Sequence, residues 1–155
     1  MNIQLVRETL GIHTCDRRSS KAAITSEYPE YHIEPGFSEA DPLWDADLRE
    51  SDTARNARLK EFLDDVCTHD PRDFISFTCH SGAITSLLEV LGHRKFPLET
   101  GAMIPVLVKV ERVQGDPPPM EIDPPTPAPD CKGDPLKAGG GIVRASVVEV
   151  STPVA

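Results

Sequence analysis

The chain has 155 residues, one domain's worth of material, and 39% of them are hydrophobic. Its formal net charge of -9 argues against general binding to nucleic acid or to an anionic membrane, because the summed field repels phosphate polymers. No apolar run approaches a membrane span and the first residues carry no signal-peptide core, so no membrane or secretory role is expected.

Residues 1–12 mix Ile3, Leu5, Val6 and Leu10 with polar residues, a pattern open to a strand entry or a helix start. The next stretch, His13 to Lys21, concentrates positive charge in an otherwise acidic chain. Arg17 and Arg18 there suit bidentate phosphate or carboxylate binding, or equally surface salt bridges. A cysteine phosphatase loop needs Cys, five residues, then Arg. Lys21 follows Cys15 at that spacing and Thr85 follows Cys79, so the pattern fails at both sites. Ser26 to Pro42 reads as irregular, with turn signals at Tyr28-Pro29, Glu34-Pro35-Gly36 and Asp41-Pro42. Trp44 lies among acidic residues as a packing anchor or a pocket rim.

Ser51 is expected to N-cap a helix of about four turns whose apolar face is Leu59, Phe62, Leu63 and Val66. The helix should end near Thr68-His69-Asp70-Pro71, with Arg55 to Lys60 as its solvated face. Phe74 to Phe77 reads as a short strand, followed by a Cys79-His80-Ser81-Gly82 turn. Ile84, Leu87, Leu88 and Leu91 then mark a second helix, with Ser81 as N-cap and Gly92 as stop. A strand entering a helix through such a turn is half of a βαβ unit, and its unpaired N–H groups favour an anion. His80 sits at that mouth, either as an imidazolium aiding phosphate attraction or as a polar turn residue.

Ala102 to Val110 reads as a further strand, which Pro105 confines to an edge or a bulge. From about Glu111 proline and glycine dominate, so residues 112–155 are expected to be disordered with polyproline II character. Within them Ile142 to Val150 alternates weakly and is a candidate edge strand, and the proline runs are a candidate ligand for an SH3-type protein partner. His13 with Cys15, Cys67 with His69, and Cys79 with His80 supply zinc-type ligands, but no paired ligand motif of a structural zinc site occurs and no metal is expected. The four cysteines are scattered, with no Cys-x-x-Cys pair, which suits reduced thiols in the cytoplasm or nucleus.

Strand-Thr78-Cys-His-Ser-Gly82-helix resembles the second histidine motif of the histidine phosphatase (phosphoglycerate mutase-like) superfamily. Val6-Arg-Glu-Thr-Leu-Gly-Ile-His-Thr-Cys-Asp-Arg-Arg18 and Leu43-Trp-Asp-Ala-Asp-Leu-Arg-Glu50, in this order, resemble its plant and fungal branch. The resemblance covers roughly residues 3 to 110. It implies an α/β fold, a three-layer sandwich around a mostly parallel sheet, in residues 1–111, with 112–155 as a tail. It further implies hydrolysis of a phosphorylated small molecule through a phosphohistidine, with no cofactor. Glu8 would protonate the leaving alkoxide, a role suited to a carboxyl whose pKa is raised, and His80 would stabilise the transferring phosphoryl group. Arg17, Arg18 and Ser81 would be the substrate contacts.

The superfamily's chemistry starts from a nucleophilic histidine in an Arg-His-Gly motif on the first strand, with a second arginine further along as a phosphoryl clamp. The resemblance begins at Ile3, past both, and no Arg-His-Gly occurs in the 155 residues. The expectation is therefore an incomplete sheet and little or no turnover. A truncated gene model, a splice fragment and a degenerate paralogue all fit. Two alternatives to hydrolysis stand: a non-catalytic pseudo-phosphatase that binds a phosphate ligand or a protein, and a phosphomutase, which needs the same histidine.

Overall fold

A computed structural model of the chain describes residues 3–116 and 118–129. Two short 3-10 turns, Ile3–Leu5 and Thr14–Asp16, precede helix α1, Lys21–Glu27. Strand β1, Leu48–Arg49, leads into the long helix α2, Asp52–His69; helix α3, Ser81–Val90, follows, and strand β2, Thr126–Pro127, comes last. The core lies where α3 packs on α2. Leu59, Phe62, Leu63 and Val66 of α2 meet Ala83 and Leu87 of α3, and Leu5 of the first turn closes one end. Leu59 and Ala83 are fully buried. At about 25 cal/mol per Å² of apolar surface, a fully buried leucine such as Leu59 contributes about 2 kcal/mol.

Both long helices fall where the 3.6-residue period places them. The Ser51 hydroxyl accepts from the Ala54 N–H at 3.2 Å and Asp52 lies in the first turn, so α2 has both a cap and a favourable charge. Pro71 stands two residues beyond its last helical position. Gly92 ends α3 with a φ of +68°, the left-handed conformation expected past a helix C-terminus. Helix α1 was not foreseen. Its N-cap is Ser20, whose hydroxyl accepts from the Ala23 N–H at 3.1 Å, but its seven residues carry no apolar stripe.

The described sheet differs from expectation. In place of a mostly parallel sheet between helices there is one antiparallel ribbon of two strands, Leu48 opposite Pro127 and Arg49 opposite Thr126. Neither Phe74–Phe77 nor Ala102–Val110 is a strand. Phe74 and Leu107 face solvent at 93% and 102% exposure, while Phe77 packs edge-on against Phe62 with ring centroids 5.2 Å apart. Apolar, β-favouring residues define a strand only when a neighbour supplies the ladder, and among the described residues neither run has one.

Two further expectations are corrected. Arg55 to Lys60 is not a solvated face: Arg55 and Asn56 are buried, and only 9% of the Arg58 side chain is exposed. The proline-rich segment is not wholly free from residue 112. Asp123 anchors it to the start of α2, its N–H donating to Thr53 Oγ1 at 2.7 Å and its carbonyl accepting from Ser51 Oγ at 2.9 Å. The Ala128 N–H reaches the Asp47 carbonyl at 2.7 Å beyond β2. Ile122 and Pro125 thereby roof an open cleft of about 280 Å³ over Leu10, Leu43, Leu48 and Ala54. The candidate strand Ile142–Val150 lies outside the described residues. None of the helices described is long and apolar enough to cross a membrane.

Candidate active site

The site forms where the loop after the first turn meets the start of α3. The Glu8 carboxylate caps that helix from 74 residues away in sequence. Its Oε2 accepts from the Gly82 N–H at 2.8 Å and from the Ala83 N–H at 3.3 Å. Its Oε1 accepts from the Thr9 N–H at 2.9 Å and the Thr9 hydroxyl at 3.0 Å. The N-cap position belongs to His80, not Ser81, and His80 makes no side-chain cap bond. A carboxylate on the first N–H groups of a helix satisfies orphan donors and meets the positive end of the dipole.

The approach depends on glycine. A Cβ on Gly82 would lie 1.9 Å from Glu8 Oε1 and 2.7 Å from its carboxyl carbon. Burial pushes the Glu8 carboxyl up, but the bonds from Thr9, Gly82 and Ala83 together outweigh it and hold its pKa below the ordinary value. Glu8 is thus ionised at neutral pH, the opposite of the raised carboxyl that suits a resting general acid. Burial, and then the Glu8 charge, push the neighbouring Cys79 thiol up, so it stays protonated.

Two buried arginines on α2 hold this arrangement. Arg55 donates from Nε to Ser86 Oγ at 2.8 Å and from Nη1 to Thr9 Oγ1, with Nη2 3.0 Å from Asp52 Oδ1. Its Nη1 lies 3.9 Å from Glu8 Oε1. Arg58 forks onto Glu50 at 2.8 and 2.7 Å and donates to the carbonyls of Leu5, Arg7 and Glu8. Glu50 also accepts from the Leu10 N–H at 3.0 Å. The backbone from Leu5 to Leu10 is therefore clamped to α2, which fixes where Glu8 points.

The sequence-derived candidates fall into two groups. Glu8, His80 and Ser81 meet at the mouth of α3, where the His80 and Ser81 side chains are exposed. Arg17 and Arg18 belong to the 13–18 loop, and no hydrogen bond or ion pair joins them to that mouth among the described residues. Arg17 is exposed and lies over the Trp44 ring at 5.3 Å, while Trp44 Nε1 donates to the His13 carbonyl at 2.9 Å. Arg18 is committed to structure: Nη2 donates to the Ser38 and Ala40 carbonyls at 2.7 and 2.6 Å, and the guanidinium lies 4.2 Å from the Phe37 ring centroid. Arg7 is a further structural clamp, forked onto Asp41 at 2.8 Å through both nitrogens. Burial raises the Asp41 carboxyl, but the Arg7 fork and the Arg18 and Leu43 N–H groups pull it down to about 2. No cluster of three or more His, Cys, Asp or Glu side chains converges among the described residues.

Thr9, Glu50, Arg55 and Arg58 were not singled out as site residues from sequence. A signal existed for the arginines: Arg55 and Arg58 stand four residues before Leu59 and Phe62, on the stripe that faces the core.

Parts of known fungal and plant proteins are similar to this chain. A probable phosphoglycerate mutase of Arthroderma benhamiae is 60% identical over 108 residues, covering 70% of this chain and 32% of that protein. Phosphomutase-like protein 3 of Candida albicans is 38% identical over 114 residues, 73% of this chain and 36% of its own length. Phosphoglycerate mutase-like protein 1 of Arabidopsis thaliana is 35% identical over 91 residues, 59% of this chain and 32% of its own length. The chain thus spans about a third of the length of these relatives. No protein-family model and no solved structure matches it.

Proposed function

Because the chain belongs to the phosphoglycerate mutase-like (histidine phosphatase) family of fungi and plants, we propose that the mouth of α3 is half of a phosphomonoester site. The observation that carries this reading is the meeting of Glu8 with the His80–Ala83 segment across 74 residues of sequence. A phosphoryl group and a carboxylate make the same demand on a helix N-terminus. A phosphate ester entering here would take the Gly82 and Ala83 N–H groups from Glu8, with His80 alongside. Freed of those donors and set beside a new negative charge, Glu8 would gain the proton that a general acid must carry.

In the complete active site the nucleophilic histidine attacks phosphorus, the ester P–O bond breaks, and the leaving alkoxide takes the Glu8 proton. Water then hydrolyses the phosphohistidine. The surrounding fold is the three-layer phosphoglycerate mutase-like sandwich, with the α2–α3 pair as one of its helical layers. Arg17, stacked on Trp44 with its guanidinium exposed, is the candidate contact for the rest of the substrate, and Ser81 the candidate at the phosphate. The 155 residues contain no Arg-His-Gly, so by itself this chain binds phosphate esters weakly and turns over little. Removing a covalent nucleophile costs several orders of magnitude in rate. The relatives' names favour phosphoryl transfer between hydroxyls as the second reading.

The test is hydrolysis of p-nitrophenyl phosphate by the purified chain and its His80→Ala variant, with circular dichroism reporting folding. A folded chain without turnover fits the half-site. Turnover lost in His80→Ala would refute the incomplete site and require a substitute nucleophile. Phosphate transfer to an added alcohol in preference to water would favour the mutase reading.

A further inference from the structure

We propose that Thr9 is a positioning residue that gives the two oxygens of the Glu8 carboxylate separate tasks, Oε1 as an anchored pivot and Oε2 as the proton carrier. The inference deepens the half-site reading, and its last step, delivery of the proton, rests on that reading. Each oxygen has its own donors. Oε1 accepts from the Thr9 N–H at 2.9 Å and the Thr9 hydroxyl at 3.0 Å. Oε2 accepts from the end of α3, from the Gly82 and Ala83 N–H groups at 2.8 and 3.3 Å. Arg55 orients the Thr9 hydroxyl. Guanidinium nitrogens donate and never accept, and Arg55 Nη1 donates to Thr9 Oγ1. The hydroxyl proton must therefore point away from Arg55, and Glu8 Oε1 is where it goes. Arg55 is itself held by Ser86 Oγ at 2.8 Å and Asp52 Oδ1 at 3.0 Å. Thr9 and Arg55 are both buried, so water is poorly placed to replace either bond.

The donors decide where a proton can sit. A proton on Oε1 would meet the Thr9 N–H and hydroxyl, with the Arg55 charge 3.9 Å away. A proton on Oε2 competes only with the two helix N–H groups, the pair that a phosphate ester claims. When the ester takes them, Oε2 gains a proton from solvent while Oε1 stays on Thr9. The leaving alkoxide then takes that proton from Oε2, and the restored carboxylate can return to the helix end. The carboxyl thus swings about a fixed atom and its proton always faces the ester. Three further groups surround it. The Cys79 thiol stays protonated, His80 makes no side-chain cap bond, and Arg58 donates to the Glu8 backbone carbonyl.

The experiment is a pH titration of the full chain by NMR, reading the Glu8 carboxyl carbon and the Thr9, Gly82 and Ala83 amide signals. It is run on the parent, Thr9→Ser and Thr9→Val, with far-UV circular dichroism confirming the helices in each. As Glu8 takes its proton, the Gly82 and Ala83 signals should follow its midpoint and the Thr9 signal should move less than half as far. The Glu8 midpoint should rise in Thr9→Val, which removes a donor to the charged form, and return to the parent value in Thr9→Ser, which keeps the hydroxyl. A Thr9 amide that moves as far as Gly82 in the parent chain would overturn the proposal without any variant. So would a midpoint that Thr9→Val leaves in place or that Thr9→Ser fails to restore. Saturating phenyl phosphate separates this proposal from the half-site reading: it should raise the Glu8 midpoint and spare the Thr9 amide. Gly82 and Ala83 signals unmoved by the ester would overturn the half-site reading and the proton delivery, while the free-chain titration alone decides the Thr9 pivot.

Discussion

Replacing Gly82 by alanine should reverse its effect on stability according to whether Glu8 is present. The Gly82 backbone does not have a positive φ, so alanine fits the helix and should gain about 1 kcal/mol of helix propensity. Its Cβ, however, would lie 1.9 Å from Glu8 Oε1, so the carboxylate must leave the helix end. That removes a cap and its charge-assisted bonds to Gly82 and Ala83, together about 2 kcal/mol for a side chain 24% exposed. The net expectation for Gly82→Ala is about 1 kcal/mol of destabilisation. In a Glu8→Ala background the clash and the cap are already gone, so the same substitution should stabilise by about 1 kcal/mol. Urea unfolding of the parent, both single variants and the double variant, followed by far-UV circular dichroism, measures the coupling, expected near 2 kcal/mol. Additive effects, or a stabilising Gly82→Ala with Glu8 intact, would refute the Glu8 cap.

Arg55→Met should destabilise by about 3 kcal/mol in urea titrations, because it strips Ser86 Oγ and Thr9 Oγ1 of their donor and leaves Glu8 without its nearest cation. Leu59→Ala, at a fully buried position between α2 and α3, should cost about 2–5 kcal/mol in the same assay. Acid should unfold the chain through Asp41 and Glu8. Both carboxyls have folded pKa values below their ordinary ones, so their stabilisation is full above about 4.5 and fades as pH falls, for Asp41 towards about 2. Asp41→Asn should lower stability at neutral pH by about 2 kcal/mol and flatten the loss between pH 4 and pH 2, read from urea midpoints.

The parts of the fold legible in the sequence are those whose determinants are local. Helices α2 and α3 announce themselves through Leu59, Phe62, Leu63 and Val66, and through Leu87 and Leu88, all buried at helical spacing. Ser51 and Gly92 mark their ends. The strand reading of Phe74–Phe77 failed because a strand is a property of a pair, and composition says nothing about whether the neighbour is there. The β1–β2 ribbon was equally hidden, since two residues carry no alternation and its second strand lies in a proline-rich stretch. Arg55 and Arg58 were misread through their charge: their place on the apolar stripe of α2 meant burial, and Thr9, Ser86, Glu50 and the carbonyls of Leu5, Arg7 and Glu8 satisfy them there. Glu8 was singled out through family resemblance alone. Nothing local to Arg7-Glu8-Thr9 says that its carboxylate meets a helix end 74 residues on.

The most direct test of the half-site is an amide NMR titration of the chain with phenyl phosphate, repeated on His80→Ala. The expected result is saturable shifts of the Gly82 and Ala83 amide signals, with affinity weakened at least tenfold by the substitution, as the ester displaces Glu8 from those N–H groups. Unmoved Gly82 and Ala83 signals at high ligand concentration, or equal affinity in His80→Ala, would contradict it.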